Sequence, residues 1–158
     1  MFNLREDILE NRVILVTGAG DGIGKEVAVS FAEHGGQVIL LGRTIKKLEK
    51  VYDQICQIGA PEPAIVHLDL ETLDEATSER LKETIEDNYG KLDVLLHNAA
   101  ILGPRVPLEN YDSTEWTSVI QTNVTSVFIL TKALLPLLKK SADGRIIFTN
   151  SVSYTHLR

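Results

Sequence analysis

With a single cysteine in 158 residues, the chain cannot form an intrachain disulfide, and Cys56 stands in an apolar helical pattern with Val51, Ile55 and Ile58 that assigns it to packing. Basic charge is also short. The net charge is −6 and the pI is about 5.2, without the clustered basic surface of a nucleic-acid binder, so no nucleic-acid partner is expected. The opening Met1-Phe2-Asn3-Leu4-Arg5-Glu6-Asp7 lacks the basic-then-apolar layout of a secretion signal. No uninterrupted apolar run reaches the roughly 18 residues a membrane span needs. The expectation is a cytoplasmic protein with no membrane partner. His34, His67 and His97 share no metal-ligand spacing, and no metal site is assigned. What remains is a 44% hydrophobic chain with no linker and no low-complexity segment, long enough for one domain with a core of its own.

From Arg12 onward, short β-branched runs alternate with longer amphipathic stretches, the pattern of an α/β fold with a parallel sheet and crossover helices. Strands are predicted at 13–16, 37–41, 64–68, 92–96 and 146–148. The first two are apolar on both faces, as in a sheet covered on each side. Helices are predicted at 22–34, stopped by Gly35-Gly36, and from a Thr44 cap to Ile58, broken by Gly59-Ala60-Pro61. A charged helix is predicted over 71–88. The longest helix is predicted from an N-cap at Ser113, anchored by Trp116, to about Lys140, with Pro136 near its end. Between Asn98 and Ser113 a loop with Gly103, Pro104 and Pro107 suits the rim of a site.

The first strand runs directly into Thr17-Gly18-Ala19-Gly20-Asp21-Gly22-Ile23-Gly24, and a helix opens within that segment. Glycines here allow a tight turn, admit a pyrophosphate close to backbone N–H groups, and let the helix pack on the strand. The alternative phosphate-binding loop of nucleotide triphosphatases fails on spacing, since Ala19 and Glu26 stand where it needs a Gly and a Ser or Thr.

Thr17-Gly18-x-x-x-Gly22-Ile23-Gly24 resembles the cofactor fingerprint of the short-chain dehydrogenases/reductases, and further matches follow in order. Asp69-Leu70 resembles the pair that contacts the adenine ring. Asn98-Ala99-Ala100 resembles the family's Asn-Asn-Ala-Gly, with His97 and Ala100 as departures. Asn123 sits where the family keeps a catalytic Asn, and Ser151 where its catalytic Ser ends strand five. The wording of 14–24, of Val38 to Arg43 and of Ala133 to Leu138 is similar to the YciK-type branch. The resemblance implies a Rossmann-type doubly wound parallel sheet, strands one to five of the usual seven, in a single domain over 1–158.

The resemblance also implies a chemistry: hydride transfer between a nicotinamide and a small-molecule carbonyl or alcohol substrate, with Ser151 binding the substrate oxygen and Asn123 a relay water. The cofactor contacts it implies are Thr17, Gly18, Gly20, Asp21, Gly22, Ile23, Gly24, Arg43, Asp69, Leu70, Asn98 and Ala99. NADP(H) is favoured over NAD(H), because Gly42 replaces the ribose-binding acid at the end of strand two and the next residue, Arg43, can pair with a 2′-phosphate. The family's general acid/base Tyr and its Lys partner fall beyond Arg158 in this register, and Tyr154 stands too close to Ser151 to replace that Tyr. Residues 154–158 depart from the pattern and are expected to be a non-native tail on a truncated or chimeric reading frame. By itself such a piece is expected to be a catalytically inactive dinucleotide binder, with strand five an apolar edge and one face of the long helix uncovered. The intact parent is expected to be a homodimer or homotetramer. The stripe of Val124, Phe128, Thr131 and Leu135 is read as core, although the resemblance places a subunit contact on the same helix.

Overall fold

The computed structural model describes residues 7–150. Five parallel strands, β1 (Val13–Thr17), β2 (Gln37–Gly42), β3 (Ala64–His67), β4 (Val94–His97) and β5 (Arg145–Phe148), form one sheet in the order β3-β2-β1-β4-β5. The register is continuous across the middle: Leu15 lies between Ile39 and Leu95, and Val16 between Leu40 and Leu96. Every residue of β1 is buried, because the sheet is covered on both faces. Ile14, Val16, Val38 and Leu40 point to α1 (Gly22–Glu33) and α2 (Ile45–Gln57), where they meet Ala28, Val29, Leu48, Val51 and Ile55. The alternate residues Leu15, Ile39, Leu41 and Leu95 meet Leu81 and Ile85 of α3 (Glu75–Tyr89) and Leu130, Leu134 and Leu137 of α5 (Ser126–Lys139). Helices therefore lie on both faces, and the chain order reverses between β1 and β4, which defines a doubly wound α/β fold.

Several boundaries differ from the sequence reading. The charged helix over 71–88 is two pieces: a short 3₁₀ turn at Leu70–Thr72, capped by Asp69, and α3, which starts at Glu75 because the Asp74 carboxylate accepts from Thr77 N at 2.7 Å. The long helix is interrupted. α4 (Ser113–Ile120) passes through a π-helical turn, Gln121–Thr125, into α5, which runs through Pro136. Its N-cap is Asp112, which accepts from Thr114 N at 2.7 Å, and not Ser113. Together Ser113–Lys139 is long and apolar enough to cross a membrane by length and composition, yet Leu130, Leu134, Leu137 and Leu138 belong to the core under the sheet.

Three packing assignments are also corrected. Cys56 is exposed, since α2 turns Leu48, Val51 and Ile55 inward and Cys56 stands one residue, about 100° of rotation, further round. Trp116 is 57% exposed and meets the Tyr111 ring edge-on at 6.3 Å, so it anchors little of the helix start. Val124, Phe128 and Leu135 are exposed, and only Thr131 of that stripe has an inward partner, because the π turn rotates α5 so that Leu130 and Leu134 face the sheet. At the sheet edge, Ile147 and Phe148 of β5 are exposed as well.

The N-terminal ends of the strands are tied by one carboxylate. Asp93, whose side chain is 1% exposed, accepts from Val13 N at 2.8 Å and from Ser141 Oγ at 2.5 Å, and pairs with Lys91 Nζ at 2.8 Å and Arg12 Nη1 at 3.3 Å. Its backbone bonds Val13 O and Arg145 N, so it joins β1, β4 and β5. Burial pushes this carboxyl upward, but the hydrogen bonds from Lys91, Ser141 and Val13 outweigh it and hold it below the ordinary range. Such a group stabilises the fold above its unfolded pKa and loses that contribution as pH falls through the folded one. Asp93→Asn is expected to cost about 2–3 kcal/mol, below the roughly 3–5 kcal/mol of breaking a fully buried pair because both cations are partly solvated. Urea denaturation at pH 7 reads the loss, and the same variant should flatten the decline in stability below about pH 4.

Candidate dinucleotide-binding site

At the opposite, C-terminal ends of the strands, the split between β1 and β4 opens a cavity of about 470 Å³. Its walls come from four connections: the glycine turn after β1, the end of β2 into α2, the end of β3, and the segment after β4. The turn is shaped by contacts that only glycine permits. Gly18 takes φ +67, and a Cβ there would lie 2.9 Å from Ala99 Cα. At Gly24, on the first turn of α1, a Cβ would lie 2.2 Å from Gly18 O and 2.5 Å from Asn98 Nδ2, so this glycine closes the turn against its neighbours. Gly22, at φ +51, has nothing within 4 Å of its Cβ position and faces open space at the start of α1. Asp21 caps the first N–H of α1, accepting from Gly22 N at 2.8 Å; the next N–H groups have no partner within the helix, and with the helix dipole they favour an anion there.

Thr17 does a different job. It is buried, and its Oγ donates to Leu96 O at 3.3 Å while accepting from Asn98 N at 3.0 Å and Ala99 N at 3.1 Å. The hydroxyl is fully used in holding the end of β1 to the end of β4. Asn98 Nδ2 returns a bond to Thr17 O at 3.3 Å, and Thr149 Oγ donates to Asn98 Oδ1 at 3.2 Å.

Of the residues singled out from the sequence, Gly18, Gly20, Asp21, Gly22, Arg43, Asp69, Leu70, Asn98 and Ala99 all line the cavity. Thr17 and Gly24 stand behind it, and Ile23 points outward, 62% exposed. Asp69 spends one carboxylate oxygen as a cap, accepting from Glu71 N at 3.0 Å. Asn123 sits in the π turn with its amide closed on one backbone unit: Oδ1 accepts from Ile101 N at 2.9 Å and Nδ2 donates to Ile101 O at 2.8 Å. It holds the segment after β4 against the helix. Ser151 and Tyr154 lie outside the described residues.

Lys47 and Thr122 are among the lining residues that escaped the sequence reading. Lys47, on the first turn of α2, places its Nζ 2.6 Å from Asp21 Oδ2, and a signal existed in its position one turn beyond Arg43. Thr122, next to Asn123, is 6% exposed and its Oγ has no hydrogen-bond partner. A buried hydroxyl without a partner is costly, and one that lines a cavity calls for a ligand atom. Together with the open face at Gly22, it makes the cavity fit an elongated polar ligand with an anionic centre. Among the described residues no group of three or more His, Cys, Asp or Glu comes together to hold a metal.

A doubly wound parallel sheet with a glycine turn leading into a helix N-terminus and a cavity at its switch point defines a nucleotide-binding α/β protein of Rossmann type. Residues 12–156 match the model of the short chain dehydrogenase family, and the chain belongs to that family. It is 44% identical over 147 residues to the uncharacterized oxidoreductase YciK of Escherichia coli, an alignment that covers 93% of this chain and 58% of that protein. A short chain dehydrogenase from Shigella flexneri, solved in complex with NADP, superposes with a TM-score of 0.90 at 44% identity and covers 93% of this chain and 62% of that one. A short chain dehydrogenase from Pseudomonas syringae gives a TM-score of 0.89 at 46% identity, covering 92% and 59%. The chain thus spans about three fifths of the length of these relatives.

His97 departs from the family's Asn and has its own physics. It is 5% exposed, stacked on Phe148 with ring centroids 5.2 Å apart, and its Nε2 meets Thr131 Oγ at 2.9 Å. Burial drives its imidazole from 6.5 down to about 4. The unfolded chain takes up the proton first, so stability is full above about pH 6.5 and is lost as pH falls toward 4. A His97→Asn variant should remove most of this slope, a difference on the order of 2–3 kcal/mol between the two pH limits. Urea midpoints measured from pH 7 to pH 4 test it; an unchanged slope would show that His97 is not its source.

Proposed function

We propose that this chain is the cofactor-binding part of an NADP(H)-dependent oxidoreductase whose intact form transfers hydride between nicotinamide and a carbonyl or alcohol carbon. The observation that carries the reading is the cavity at the switch point, with glycines at the phosphate end and Arg43, in place of an acid, just after β2. When bound, the nicotinamide supplies a hydride donor or acceptor that no side chain can provide. The chain's own residues bind and orient it. Gly18, Gly20, Gly22 and the start of α1 take the pyrophosphate, with Thr17, Ile23 and Gly24 shaping the turn from behind and outside. Asp21 borders this turn, and Asp69, Leu70, Asn98 and Ala99 border the adenosine end.

Arg43 takes the 2′-phosphate of NADP(H) as a charge-assisted, bidentate contact. His67 supports it by holding the Arg43 carbonyl at 3.1 Å from its Nε2. Asn123 fixes the rim through Ile101, and its Oδ1 keeps one lone pair for a relay water. Ser151 binds the substrate oxygen. The exposed apolar residues Val124, Phe128 and Leu135 on one helix suit a subunit contact, which supports a homodimer or homotetramer of the intact cytoplasmic protein.

A second reading is a dinucleotide-binding module without turnover, since the cavity and its glycine turn can hold a nucleotide without any group that moves a proton. Titration with NADP⁺ and NAD⁺ tests the cofactor assignment, and NADPH oxidation by the intact protein with a panel of ketones and aldehydes separates the readings. Arg43→Ala is expected to weaken NADP⁺ by about tenfold or more and NAD⁺ by less than about twofold. Equal effects on both cofactors would overturn the NADP(H) assignment, and binding without any turnover by the intact protein would favour the module.

A further inference from the structure

Asp21 is out of place in a site for a phosphorylated ribose. It occupies the glycine turn, lines the same cavity as Arg43, and leaves its carboxylate 74% exposed. Alone, it would cancel the charge of Arg43 and repel a 2′-phosphate. It is not alone, because Lys47 Nζ is 2.6 Å from its Oδ2. The other oxygen accepts from Gly22 N at 2.8 Å, so the carboxylate is oriented by the start of α1 and aims the lysine across the mouth. Asp21 is held below the ordinary carboxylate range chiefly by the Lys47 hydrogen bond, and it stays charged at neutral pH.

The position of Lys47 has no explanation in helix stability. It follows Ile45 and Lys46 at the start of α2, where a cation opposes the helix dipole, and α2 has neither an acid in its first turn nor a side-chain cap from Thr44. Gly20 is what lets the first turn of α2 come close: a Cβ at Gly20 would stand 3.0 Å from Lys47 Cβ. The packing of the glycine turn against α2 thus delivers an ammonium group to the wall that also carries Arg43.

Resting on the NADP(H) reading above, we propose that Lys47 is a specificity-determining residue that both neutralises Asp21 and supplies the second cation for the 2′-phosphate, with Asp21 as its positioning residue. The clamp then sets Arg43 and Lys47 beside Asp21, so that two cations on one wall meet a phosphate that NAD(H) lacks.

The test is the ratio of NADP⁺ to NAD⁺ affinity of the purified protein, read by calorimetric titration, with 2′,5′-ADP and 5′-ADP as probes of the same difference without the nicotinamide. Lys47→Ala is expected to weaken NADP⁺ and 2′,5′-ADP by about tenfold while NAD⁺ and 5′-ADP change by less than about twofold. Lys47→Arg should keep the preference, because it keeps the charge. Asp21→Asn combined with Lys47→Ala should recover part of the lost NADP⁺ affinity, since the unneutralised carboxylate is gone. If Lys47→Ala weakens all four ligands equally, or none, while Arg43→Ala still removes the preference, the role given to Lys47 is overturned and the NADP(H) reading survives. If the unaltered protein binds NAD⁺ as tightly as NADP⁺, both fall together.

Discussion

The structure depends on β1 and β4 staying joined at the point where the chain leaves them in different directions. Helices follow these strands onto opposite faces, so a crevice opens between them where their ladder ends, beyond Val16 and Leu96. The hydroxyl of Thr17 holds the end of β1 to the end of β4 by bonding Leu96 O, Asn98 N and Ala99 N at once. At the other end Asp93 joins the same strands. Between these two ties the register of β1 with β4 is fixed, and the cavity wall above Thr17 becomes a preformed surface. Gly18 and Gly24 then let the turn, α1 and the segment after β4 approach one another within a distance that any side chain would forbid.

Charge on this surface is arranged locally. The chain as a whole is acidic, yet the mouth of the cavity carries Arg43 and Lys47, and its carboxylates are already engaged, Asp21 by Lys47 and Asp69 by the turn it caps. An anionic ligand meets two cations at this mouth on a protein of net charge −6. Net charge therefore carries little information about the ligand.

Much of the fold was legible in the residue pattern because a sheet covered on both faces leaves unmistakable apolar runs. The β1 and β2 runs, 13–16 and 37–41, differ from the observed strands by one residue at an end. Helix interiors were less legible. The break between Thr72 and Glu75 follows from Asp69 and Asp74 competing for backbone N–H groups, and the π turn at Gln121–Thr125 has no propensity signal at all. That turn sets the phase of α5, which is why Val124 and Phe128 stand outside and Leu130 and Leu134 inside. A stripe at helical spacing cannot reveal a phase shift of this kind, since periodicity reports a face and not its direction.

For the site, the glycine segment was readable by itself: four glycines between a buried strand and an amphipathic helix serve few physical ends besides a close-approach turn, and Arg43 in place of an acid is visible in the chain order. Tertiary structure alone decided the duties of the neighbours. Thr17 and Asn123 are spent on backbone groups 79–82 and 22 positions away, so their hydrogen-bonding capacity could be counted only after folding. Lys47 reaches Asp21 across 26 positions because the absence of a side chain at Gly20 brings α2 against the glycine turn. Local sequence specifies what each residue can donate, accept or bury. Which partner satisfies it is settled by the three-dimensional approach of segments distant in the chain.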